Sequence, residues 1–161
     1  MSRILEINGK EYKLEFTIEA SLYKDCTEKV TGFMSNVASA EDGEDNKSKE
    51  DNKSKIKELI STMSDIPQTT LIMFYAGLLE HHGEDGDQTV MSLHDAKKLI
   101  KQYFKEHQED ETGNFYGVMQ ILLEQMGEDG FFKQIGLEQI AEQTTQEVKT
   151  PQDHKKKLTK Q

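Results

Sequence analysis

The sequence predicts a mainly α, α+β fold: an N-terminal β-hairpin followed by a compact bundle of about five to six helices. Three observations carry this reading. The segment RILEINGKEYKLEF, Arg3 to Phe16, alternates around Asn8-Gly9, the pair a two-residue type I′ turn needs because both positions take positive φ. Downstream the apolar period changes from two to three-or-four. The stretch PQTTLIMFYAGLLEHHG, Pro67 to Gly83, is apolar around most of its circumference and reads as a central helix that the other elements cover.

In the hairpin, the Asn8-Gly9 turn sets Ile7 opposite Lys10 and Leu5 opposite Tyr12. Leu5, Ile7, Tyr12 and Leu14 then share the face that rests on helices. Glu6 opposes Glu11, which is tolerable only where that face is wet. An isolated hairpin is marginal in water, so the helices must support it.

Ile18, Leu22, Cys26, Val30, Phe33 and Val37 recur at helical spacing and predict one amphipathic helix with a single buried stripe, widened by Tyr23 and Met34. Cys26 lies in the stripe as a small buried hydrophobe. Glu41 to Lys55 holds no apolar residue and repeats EDNKSK in tandem, the composition of a flexible charged insert. Ile56, Leu59, Ile60 and Met63 predict a short helix ended by Asp65-Ile66-Pro67. Pro67 then suits the first turn of the central helix and Gly83 a left-handed stop.

Ser92 with Asp95 three residues on has the spacing of a capping box. It opens a helix carrying Leu93, Ala96, Leu99, Ile100, Tyr103 and Phe104. Phe115, Val118, Met119, Leu122, Leu123 and Met126 predict a further helix closed by Gly127. LLEHHGEDG (Leu78 to Gly86) and LLEQMGEDG (Leu122 to Gly130) read as one stop signal used twice. Phe131, Phe132, Ile135 and Ile140 support a last helix. The expected organisation is a single domain over 1–140, with 41–55 as its insert, and a polar, basic tail over 141–161.

Composition narrows the function. With 161 residues the chain can bury roughly two thirds of its unfolded surface, but only 34% is apolar against 31% charged, so the core must be concentrated. Twenty Lys and Arg against 30 Asp and Glu give a net charge of −10, which repels phosphate backbones and anionic lipid. No nucleic-acid or membrane partner is expected. The lone Cys26 and the lack of a basic-then-apolar N-terminal run point to a reducing cytoplasm. No apolar run approaches the ~20 residues of a membrane span.

Catalytic and cofactor patterns are absent from the sequence. The GED triplets at Gly43, Gly83 and Gly127 do not supply the ligand positions of an EF-hand loop. His81, His82, His94, His107 and His154 have no zinc-site spacing. Glu106 and Glu109 have the Glu-x-x-Glu spacing of helical nucleotide hydrolases that hold magnesium, yet no matching second pair follows. Neither a phosphate loop nor a nucleophile elbow occurs. No metal, cofactor or catalytic residue is assigned. Met34, Met63, Met73, Met119 and Met126 lie on apolar stripes and supply adaptable surface or core.

The opening hairpin INGKEYKLEF, the central TTLIMFYAGLLEHHG, the SLHDAKKLIKQYF helix and the late helix closing on GEDGFF together resemble the tail assembly chaperones of long-tailed phages and prophages of Gram-positive bacteria. The resemblance runs from about Ile4 to Phe132, apart from the charged insert. It implies a non-enzymatic protein that binds the hydrophobic tape measure protein, keeps it soluble in the host cytoplasm and is absent from the mature virion. It also implies a longer frameshifted form that recruits tail tube protein. Lys155-Lys156-Lys157 is compatible with a slippery codon run. Phe74, Tyr75, Leu78, Met119, Leu122, Phe131 and Phe132 are the candidate partner-binding residues, with Phe74 and Met119 expected at the surface. A homo-oligomer is left open. Alternatives are an acidic helical DNA mimic or regulatory binding protein, and a metal-dependent helical nucleotide hydrolase.

Overall fold

The computed structural model describes the backbone of residues 2–41 and 49–140, and side chains over 2–35 and 63–140. A two-stranded antiparallel hairpin, β1 (Arg3–Ile7) and β2 (Lys10–Leu14), precedes six helices: α1 (Ile18–Leu22), α2 (Lys24–Glu41), α3 (Lys49–His82), α4 (Leu93–Glu106), α5 (Phe115–Asp129) and α6 (Phe131–Gln134). A further helical turn covers 137–140. This is the mainly α, α+β architecture that the patterning predicts.

The hairpin forms as expected. Leu5 pairs with Tyr12 and Glu6 with Glu11, and the turn residues take positive φ, 53° at Asn8 and 75° at Gly9. Ile7, Tyr12 and Leu14 are buried while both glutamates are exposed. Four contacts fasten the hairpin to the helices. The Lys13 N–H donates to His82 Nε2 at 2.9 Å, and the Glu15 N–H to the Gly77 carbonyl at 3.0 Å. The Phe16 N–H donates to Asp129 Oδ2 at 2.8 Å, and the Asn8 N–H to Glu106 Oε1 at 2.7 Å. The departing strand thus lies along α3, with its orphan donors taken up by side chains from the ends of α3, α4 and α5.

Gly77 permits that approach. A Cβ there would lie 3.0 Å from the Phe16 ring and 3.1 Å from a Leu14 methyl, so the helix surface must be bare for strand and helix backbones to bond. Phe16, 1% exposed, then fills the space between α3 and α6, its ring edge-on to Phe131 at 5.6 Å. The apolar half of α3 is covered on the other sides by α2, α4 and α5. Ile72, Met73, Phe74, Ala76 and Leu78 enter one core with Ala96, Ile100, Val118, Met119 and Leu122.

Several boundaries differ from expectation. The helix expected to run unbroken from Ile18 is split: Tyr23, at φ −76° and ψ 96°, leaves helical geometry between α1 and α2. Ile18 and Leu22 are 63% and 73% exposed, whereas Cys26 and Val30 are buried. The break at Tyr23 resets the helical phase, so one sequence ladder becomes two faces. Val37 lies outside the described side chains.

Pro67 does not open the central helix; it sits inside α3. The ring deprives the Met63 carbonyl of its helical donor. Met63, Ser64, Asp65, Pro67 and Gln68 are exposed, so water can satisfy that carbonyl and the helix runs through.

Of the charged insert, 42–48 lies outside the described residues, while Lys49–Lys55 is helical and begins α3. Once a neighbouring apolar segment nucleates a helix, Glu and Lys extend it at little cost. The 141–161 tail lies outside the described residues.

Gly83 is not left-handed; the positive φ of that loop falls on Gln88, at 61°. Gly83 instead meets a close approach, a Cβ there lying 2.5 Å from the Leu79 carbonyl oxygen. The similar triplet at Gly127 stops nothing: α5 runs on to Asp129 and closes at Gly130, φ 71°. Gly136, φ 81°, then divides the last predicted helix.

Candidate functional site

The sequence-predicted partner residues mostly build the core. Phe74, Leu78, Met119, Leu122 and Phe131 are at most 1% exposed, so the surface position expected for Phe74 and Met119 is not found. The structure places these five in one core cluster. Tyr75 and Phe132 alone are half-buried and reach the surface. Met73 and Met126 are core as well, and Met63 is exposed.

Exposed apolar surface is found instead on α1. Thr17 caps this helix, its Oγ1 accepting from the Glu19 N–H and donating to Glu80 Oε2 at 2.9 Å. At the other end the Tyr23 ring stands edge-on to Tyr75 at 5.4 Å. Both pins reach α3. They fix α1 so that Ala20 is fully buried, and at 100° per residue Ile18 and Leu22 must then point away from the core as a two-residue ridge. Glu19 and Ser21 flank that ridge on opposite sides.

A recess opens on each flank. On the Glu19 side is a pocket of about 180 Å³ with Tyr75, Leu79 and Val90 beneath and Glu84, Asp85 and Met91 around it. On the Ser21 side is a groove of about 350 Å³ lined by Thr27, Thr31, Ile135, Leu137 and Ile140. Met91 and Ile140 are 49% and 60% exposed. Single exposed aliphatics are ordinary on a protein surface, but here Met91 and Ile140 line the recesses on the two flanks of the turn that carries Ile18 and Leu22. Sequence reasoning missed this region because Ile18 and Leu22 fit the buried ladder; the signal available was the Thr17 cap, which marks α1 as a separately started helix.

Burial raises the Tyr23 and Tyr75 hydroxyls, with Asp25 adding to the first and Asp95 to the second. The Tyr75 hydroxyl donates to the Met91 carbonyl at 3.4 Å. Burial also pushes the Cys26 thiol up to about 12, which makes it an inert core group.

The histidines serve as fasteners. His82 is 5% exposed. Because its Nε2 accepts from Lys13, its Nδ1 carries the proton and donates to Asp87 Oδ2 at 3.0 Å. Asp87 is lowered to about 2, first by the Thr89 hydroxyl and then by its other hydrogen bonds. His81 meets Glu15 at 2.6 Å, and His107 meets Asp110 at 2.7 Å.

Glu106 ends α4 and Glu109 lies beyond it, so the two do not share a helical face. The Glu106 carboxylate is engaged by Asn8 and Gln102. Among the described residues no group of three or more His, Cys, Asp or Glu is placed to hold a metal, and no buried side-chain polar atom lacks a hydrogen-bond partner. None of their helices is long and apolar enough to cross a membrane. Comparison of the chain with protein-family models, curated proteins and solved structures found no match.

Proposed function

We propose that this protein is a phage tail assembly chaperone, a binding protein without catalytic function that holds the hydrophobic tape measure protein soluble in the host cytoplasm and leaves before the virion is complete. In a longer frameshifted form it recruits tail tube protein. The observation that carries the reading is the Ile18–Leu22 ridge with a recess on each flank. An acidic protein, net charge −10, that exposes Ile18 and Leu22 on one turn between recesses lined in part by Met91 and Ile140 presents a place for an apolar helix while staying soluble itself. The hairpin followed by a helical bundle agrees with what the resemblance implies.

The test is co-expression with the product of the longest reading frame downstream, followed by affinity capture and size-exclusion chromatography. A long protein that is insoluble alone and soluble in a defined complex supports the reading. In that complex Ile18→Glu with Leu22→Glu should release the client while circular dichroism stays unchanged. A client indifferent to this protein overturns it.

A further inference from the structure

Two features have charges that an apolar client helix leaves unused: the acidic rim of the pocket beside α1, and the lysine cluster His154-Lys155-Lys156-Lys157-Leu158-Thr159-Lys160. We infer that the pocket is a binding site for a cationic peptide segment with one aliphatic anchor, and that its occupant is the chain's own residues 154–160.

The pocket is built for such a ligand. At about 180 Å³ it is smaller than the ~300–1,000 Å³ of typical small-molecule sites, and suits a single aliphatic side chain over Tyr75, Leu79 and Val90. Glu19, Glu84 and Asp85 stand at its rim, and none of the three makes an ion pair with a described residue. Uncompensated negative charge around an apolar floor selects a hydrophobic side chain flanked by cations. Leu158 between Lys157 and Lys160 has that form.

The connection permits it. Ile140 lines the groove on the Ser21 side of α1, and the acidic pocket lies on the Glu19 side, across a helix about 10–12 Å wide. The chain from Ile140 to Leu158 can span up to about 60 Å, several times what is needed. Tethering gives a local concentration in the ~mM range, so a site of modest intrinsic affinity is filled. Residues 154–160 would then border the Ile18–Leu22 ridge and be displaced when a client covers it.

A nitroxide on Thr159→Cys tests this in the full chain, since Cys26 is fully buried and escapes labelling. Selective broadening of the amide signals of Glu84, Asp85 and Met91 in dilute protein, weakened in ~1 M salt where the screening length is ~3 Å, is the expected result. Glu84→Lys with Asp85→Lys should abolish it, and adding Lys155→Glu, Lys156→Glu and Lys157→Glu to that chain should restore it. Restoration also shows that the exposed pocket variants still fold. Absent or uniform broadening overturns the inference. Broadening that appears only as protein concentration rises assigns the pocket to a second copy's tail and overturns it equally.

Discussion

Helices α1 and α4 both start at a hydroxyl cap, Thr17 and Ser92, whose oxygen accepts from a first-turn N–H. Both carry apolar residues three and four apart. In α4 that spacing delivers Ala96, Ile100 and Tyr103 to the core; in α1 it leaves Ile18 and Leu22 in solvent, and small Ala20 takes the buried position. Length accounts for the difference. A helix of 14 residues gains enough from burying its stripe to choose its own rotation. A helix of 5 residues, pinned to Glu80 at one end and through Tyr23 to Tyr75 at the other, is rotated by its ends. Apolar period therefore identifies a face, and only a long helix guarantees which way it looks.

Substitutions separate the two kinds of helix face, beginning on the core side. Phe16→Ala empties the space between α3 and α6 and should cost about 3–5 kcal/mol, read as a lowered midpoint in urea. Gly77→Val should cost about 1–3 kcal/mol by forcing β2 off α3. Gly77→Ala should be milder, because a gain of up to ~1 kcal/mol in helix propensity offsets the tight contact with Phe16.

The thiol of α2 gives a pH test. Cys26 is raised to about 12 from 9.0, so the unfolded chain releases its proton first as pH rises. Stability linked to Cys26 is complete below pH ~9 and declines between ~9 and ~12, by roughly 1 kcal/mol at pH ~10. The Cys26→Ala variant should lack this alkaline loss in parallel urea titrations.

Ser92→Ala removes the α4 cap and should cost about 1 kcal/mol, visible as a lower thermal midpoint. Leu22→Ser, on the outward face of α1, should stay within about 0.5 kcal/mol while weakening client capture. A loss of several kcal/mol at Leu22 would show that α1 obeys the same rule as α4.

Much of the fold was legible because it rests on local chemistry. Asn8-Gly9 fixed the hairpin turn and hence its register, since Asn and Gly both take positive φ at little cost. Ser92 and Asp95 marked the start of α4, where a side-chain oxygen takes an otherwise orphaned N–H. The apolar run of α3 announced a central helix. The candidate surface was not legible. Phe74 and Met119 have the composition of either a groove or a core, and the difference lies in what packs on them.

The sequence by itself determined the hairpin, the presence of the main helices, and the concentration of the core in α3, α4 and α5, because turn chemistry, capping and periodicity act over a few residues. The tertiary structure alone decided the phase break at Tyr23, the passage of α3 through Pro67, the role of Gly77 and the outward turn of Ile18 and Leu22. Three depend on a partner far away in the chain: Tyr75 for Tyr23, Phe16 for Gly77, and Glu80 for the cap that orients α1; the passage through Pro67 depends on an exposed flank. Such contacts leave no period in the sequence, since a helix records which residues share a side and not what waits on that side.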